Sequence, residues 1–223
     1  GLSSFYILLG VIALLLSPLY KGFLAPAASE GPKSTSATSG RFIILGVLAV
    51  LAILAFYVAI GGVWTFASMA ATQAGIEGAS VGTILAIASL FGIAGSMLAA
   101  FLGGRSARRA MLLLGYAILV ASIVAVATLH GSAAYVVAIC AFKFAWTFVL
   151  PFIIAEAASR DPSGRLVAST TLIIGTGLSL GPLFAGNLLE AAWSLGAVFL
   201  AAAICGAVSF ACLVVSPRPK GVS

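Results

Sequence analysis

Charge is what this sequence has least of. Among 223 residues there are five acidic side chains, eleven basic ones and one histidine, so charged residues make up 7% of the chain, against about 25% in a soluble domain. Water cannot then be the solvent for most of its surface. Cysteine is scarce as well. Cys140, Cys205 and Cys212 all fall inside apolar stretches, and none stands in a CxxC or other metal-ligand spacing. They read as small buried hydrophobes, and no metal and no cofactor is expected. The net charge of +6 does not point to nucleic acid, because the basic residues do not gather on one soluble face.

What the chain has in abundance is apolar length. It is 62% hydrophobic, and an uncharged run of about 20 residues crosses a hydrocarbon core of about 30 Å as a helix. Seven apolar runs of that length are present, all uncharged except the fifth, which holds Lys143: Leu2–Tyr20, Phe42–Ala70, Val81–Gly104, Ala110–Leu129, Ser132–Ala155, Leu166–Leu189 and Trp193–Val215. The expected fold class is an all-α membrane protein with seven transmembrane helices. The run from Leu2 has neither an initiator Met nor a small-residue cleavage site, so it is expected to be a true span of a truncated chain, not a signal peptide. Lys21 to Arg41 is rich in Ser, Ala, Gly and Pro without periodicity, which predicts a flexible tether.

The basic residues sort by membrane side. Lys21, Lys33, Arg41, Arg105, Arg108, Arg109, Arg160, Arg165, Arg218 and Lys220 all fall on one side of the alternating loops, whereas the loops around Glu77, His130 and Glu190 have no lysine or arginine. The positive-inside rule then places the linker, the basic turns and the C-terminus in the cytoplasm, as in an integral protein of the inner or plasma membrane. Lys143 belongs to neither side.

That lysine lies about midway along the apolar run Ala133 to Ala155. Putting a charged lysine at a bilayer centre costs about 2.5–3.5 kcal/mol on insertion scales, so such a residue is a functional candidate by default. Its nearest acid in sequence on the same helix, Glu156, is over three turns away, about 20 Å along the axis. Glu30, Glu77, Asp161 and Glu190 fall in loops or at span ends. Three options stay open: an acid from helices outside this chain, an anionic group on a substrate, or no partner, with desolvation keeping the amine neutral. By three-to-four-residue spacing Lys143 shares a face with Val136, Cys140, Trp146, Thr147 and Leu150, and the corresponding stripe of the second span is Tyr57, Gly61, Trp64, Thr65 and Ser68. Aromatic walls with a few hydroxyls and one cation suit an amphipathic organic solute. Lys143, Trp146, Thr147, Tyr57, Trp64 and Thr65 are therefore the candidate substrate-binding residues. Glu156 stands near the cytoplasmic end of its helix, where the macrodipole disfavours an anion. Arg160 or the turn Arg105 to Arg109 is expected to compensate it, forming a cytoplasmic gate or brace.

An internal repeat is also visible. Trp64-Thr65-Phe66 recurs as Trp146-Thr147-Phe148, and at the same offset Gly82 meets Gly164, Leu90 meets Leu172, Gly95 meets Gly177 and Gly104 meets Gly186. Spans two to four and five to seven would then be related units entering from opposite sides. Leu102-Gly103-Gly104-Arg105-Ser106-Ala107-Arg108-Arg109 is similar to the signature G-x-L-A-D-R-x-G-R-R of the major facilitator superfamily. Leu102, Arg105, Arg108 and Arg109 match, while Ala100, Gly104 and Ala107 stand where Gly, Asp and Gly are expected. The run from Gly177 through Gly181 and Pro182 to Gly186 resembles the glycine-proline run in the eleventh helix of many of these carriers. The chain as a whole thus resembles the C-terminal half of such a transporter: Leu2–Tyr20 as the last helix of the N-terminal bundle, Lys21–Arg41 as the central cytoplasmic loop, and 42–223 as a six-helix bundle. The resemblance implies a secondary carrier that moves a small organic, possibly anionic, solute by alternating access. It would be completed by missing N-terminal helices of the same protein and would use no covalent chemistry. Spans two and five would line the cavity, and Gly177, Gly181 and Pro182 would serve helix packing and rocking.

Two other classes fit less well. G-x-S-x-G occurs as Gly78–Gly82 and Gly177–Gly181, but the hydrolase elbow needs a strand, a turn and a helix with Asp and His partners. A seven-helix retinal protein needs an acid beside its lysine, and none stands at the depth of Lys143.

Overall fold

The computed structural model describes residues 39–103, 108–159 and 165–214. The expected span Leu2–Tyr20, most of the linker, Arg105, Arg160 and the C-terminal tail lie outside the described residues. Seven helices are described: α1 (Ser39–Thr65), α2 (Ala67–Gln73), α3 (Ala79–Leu102), α4 (Arg108–Thr128), α5 (Ser132–Ala158), α6 (Arg165–Glu190) and α7 (Leu195–Val214). All except α2 are long and apolar enough to cross a membrane, and no strand occurs among the described residues. The protein is an all-α integral membrane protein. The physical reason is that lipid offers no hydrogen-bond partners, so each span must satisfy its own amides, which a helix does.

Helix ends fall within a few residues of the expected spans, with one difference. The second run was expected to continue unbroken to Ala70, but the helix breaks at Phe66, whose backbone stands at φ −100° and ψ 12°. A tertiary contact marks the break: the Tyr135 hydroxyl of α5 donates to the Ala67 carbonyl at 2.7 Å. No proline or glycine stands at Phe66 to announce it. The C-termini of α2 and α6 close alike. Gly75 N–H bonds Thr72 and Ile76 N–H bonds Ala71, while Ala192 N–H bonds Leu189 and Trp193 N–H bonds Leu188. Both are Schellman closures, which put one residue in the left-handed region. That residue is Gly75 at φ 82° in the first and Ala192 at φ 62° in the second.

The packing is centred on α1 and α5. Half of the spanning part of each is buried, against 22% for α3 and 17% for α6. Helix α1 packs chiefly on α6 and α7, helix α5 chiefly on α3 and α4, and α4 meets α7. Small residues set how closely these pairs approach, as is usual between membrane helices. A methyl group added to Gly95 of α3 would run into the Phe144 carbonyl of α5 and come within 2.7 Å of Thr147 Oγ1. One added to Gly181 of α6 would meet the α1 backbone at Val58 O, 2.6 Å, and Gly62 N, 2.7 Å. Buried polar bonds tie the other contacts. Ser209 of α7 donates to the Ala52 carbonyl of α1 at 2.6 Å, which leaves Tyr116 of α4 to donate to Ser209 Oγ at 2.7 Å.

Two cavities identify the ends of the bundle. One of about 80 Å³ is lined by residues including Gln73, His130, Tyr135 and Gly196, where α2 and α4 end and α5 and α7 begin. The other, about 230 Å³, lies where α4 begins and α5 and α7 end, and is lined by Arg109, Leu112, Leu113, Glu156, Phe210, Leu213 and Val214.

Candidate functional site

Lys143 stands in the middle of α5, half-buried. Its aliphatic stem runs along Gly92 of α3, where an added methyl would lie 3.2 Å from Cγ and 3.6 Å from Cε. The absence of a side chain at Gly92 gives the stem its channel. At the far end of that stem, Nζ sits over two indole rings, 3.7 Å from the centroid of Trp146 and 4.0 Å from that of Trp64. The rings themselves meet edge to face, with centroids 6.2 Å apart and planes at 69°. Phe142 backs Trp146 at 6.1 Å.

This arrangement supplies an interaction partner that sequence reasoning missed. A cation over an indole face gains about 0.5–1 kcal/mol when exposed and about 2 when desolvated. Two faces together therefore approach the cost of about 2.5–3.5 kcal/mol for a lysine at mid-membrane. Among the described residues, the lysine's ammonium meets tryptophan ring faces and no carboxylate. Helical spacing places Trp146 beside Lys143, and the repeat puts a tryptophan on each central helix, but neither brings α1 alongside α5.

The structure gathers three of the six candidate substrate-binding residues, Lys143, Trp146 and Trp64, and sends the others elsewhere. Thr147 turns its hydroxyl to the Gly92 carbonyl at 2.5 Å, with longer approaches to the Lys143 and Phe144 carbonyls at 3.2 Å, so it joins α5 to α3. Tyr57 is buried, with its ring edge-on to Phe56 at 5.3 Å and its Cβ where a methyl on Gly177 would fall. Thr65 is exposed at the end of α1.

At the basic end, Glu156 is 4% exposed and shares the 230 Å³ cavity with Arg109. Arg108, half-buried, begins α4. Gly177 and Gly181 lie against the backbone of α1, and Pro182 Cδ lies 3.5 Å from the position of a methyl on Gly61. The two G-x-S-x-G serines are helical: Ser80 is in the first turn of α3, and Ser179 donates to the Gly175 carbonyl within α6. Neither sits on a strand-to-helix elbow. Comparison with known proteins found no matching family model and no similar curated protein.

Proposed function

We propose that this chain is the solute-binding bundle of a secondary carrier of the major facilitator type, working by alternating access on a small organic solute that carries an anionic group. The observation that carries the reading is Lys143 Nζ, half-buried at mid-helix between Trp146 and Trp64. An ammonium held by rings keeps its N–H donors for an incoming anion, whereas one locked in a carboxylate pair would not.

The repeat supports the same reading. Taking α1, α3 and α4 as one unit and α5, α6 and α7 as the other, the contacts exchange as a two-fold axis requires: α1 on α6 answers α5 on α3, and α1 on α7 answers α5 on α4. Trp64 and Trp146, equivalent in the repeat, meet each other, as residues next to such an axis must. The units differ in register. Gly95 faces Phe144, but Gly62, the equivalent of Phe144, faces Gly181 and not Gly177, a displacement of one turn. Lys143 has Gly61 as its equivalent, so the charge belongs to one unit only.

In this reading the end bearing Arg108, Arg109 and Glu156 is cytoplasmic by the positive-inside rule, and Arg109 with Glu156 braces it there, with Arg105 four residues from Arg109 in sequence and Arg160 four from Glu156. Further helices of the same protein cover the exposed faces of α3 and α6 and close the solute path. No covalent step and no cofactor takes part.

The test is uptake of labelled small carboxylates into liposomes containing the protein. Lys143→Ala is expected to lower uptake about 10- to 100-fold, the worth of a charge-assisted hydrogen bond, and Lys143→Glu to abolish it. Undiminished uptake by both variants removes Lys143 from the path and the reading with it.

A further inference from the structure

We infer that the Trp64–Trp146 pair is an ammonium site plugged by the protein's own lysine, so that the preferred solute is a small zwitterion carrying both an ammonium and a carboxylate. This rests on the carrier reading above and names its substrate class. The two indole faces present one cation-binding space, with Nζ 3.7 and 4.0 Å from the ring centroids. Nothing else about the lysine is fixed as firmly: its stem is four flexible carbons lying in the channel left by Gly92. A carboxylate arriving at the half-exposed side draws Nζ toward itself, and the indole faces then lose their cation. A simple anion leaves them empty. A zwitterion refills them with its own ammonium while its carboxylate holds the displaced lysine. The net charge of the site and the number of satisfied faces are then the same before and after binding. Discrimination follows from that exchange, since the two solutes differ in what they return to the rings.

The probes are γ-aminobutyrate and pentanoate, which differ in having an ammonium or a methyl at the same position, and propylammonium and 1-propanol, which match the part of the lysine side chain beyond Cβ. The readout is tryptophan emission of the reconstituted protein in a Trp193→Phe background, because Trp193 is half-exposed and remote in sequence from the pair. With Lys143 present, γ-aminobutyrate is expected to bind at least about tenfold more tightly than pentanoate, and propylammonium to leave the emission unchanged. In Lys143→Ala, propylammonium is expected to shift the emission and 1-propanol not to. Equal or tighter binding of pentanoate overturns the zwitterion assignment while leaving the carrier reading standing. Silence of Lys143→Ala toward propylammonium, or an equal response to 1-propanol, overturns the ammonium site itself. If neither acid binds the unsubstituted site, the carrier reading fails there, and the propylammonium arm still decides whether the rings form an ammonium site.

Discussion

A single amine illustrates how far a side chain's chemistry depends on what the fold brings to it. Lys143 would be among the most costly residues of a membrane helix if lipid surrounded it, but two indoles and the Gly92 channel make its position tolerable. The energy of that contact is measurable. A double-mutant cycle between Lys143→Met and Trp146→Leu, read by unfolding in denaturing detergent, is expected to give a coupling of about 1 kcal/mol; a coupling of zero would mean that the ring and the ammonium are neighbours without attraction. Thr147→Val should behave differently. It removes the hydroxyl bonded to Gly92 and is expected to cost about 0.5–1.5 kcal/mol of stability while leaving tryptophan emission unchanged. The lysine's anomaly was legible from its place in an apolar run. The departure of Thr147 and Tyr57 to packing roles was not, because a stripe on one helix says which residues share a face but not which neighbour that face meets.

Helices α3 and α6 are attached mainly through one neighbour each, so their small residues control the assembly. Gly181→Ala places a methyl against the backbone of α1 and is expected to destabilise the bundle by about 1–3 kcal/mol. Gly175→Ala on the same helix meets nothing within 4 Å and should be neutral or stabilising by up to about 1 kcal/mol, the helix-propensity difference. Thermal unfolding of the two variants side by side checks this; equal losses would mean that close approach of α6 to α1 is not what Gly181 provides. At the end of α6, Ala192 occupies the left-handed position that Gly75 fills at the end of α2. Ala192→Gly is expected to raise stability by about 1 kcal/mol, and an unchanged or lowered melting temperature would contradict it. Span positions were readable to within a few residues since apolar length alone sets them. The break at Phe66 was not, because the hydrogen bond beside it, to the Ala67 carbonyl, comes from Tyr135 on another helix.

Across the whole molecule, the two ends differ in charge. Arg108, Arg109 and Glu156 gather at one, and the end with Gln73 and His130 has no lysine or arginine among its described residues. With Cys140, Cys205 and Cys212 replaced, single cysteines at His130 and Arg109 are expected to react with a membrane-impermeant maleimide from opposite sides, Arg109→Cys from the cytoplasmic one. Labelling of both from the same side would contradict the span count, and reversed labelling the orientation. The sequence by itself determined that the protein lives in a membrane, where its helices run and which residue is out of place there, since solvent class and span length are properties of composition along one dimension. Only the tertiary structure decided that Trp64 comes across to Lys143, that Glu156 shares a cavity with Arg109, and that α1 and α5 are central while α3 and α6 are peripheral. Those are relations between segments far apart in the chain. In a bundle whose two central helices are apolar on nearly every side, no amphipathic stripe indicates which face turns inward, so the glycine contacts and the ring-to-amine geometry had to be seen in three dimensions.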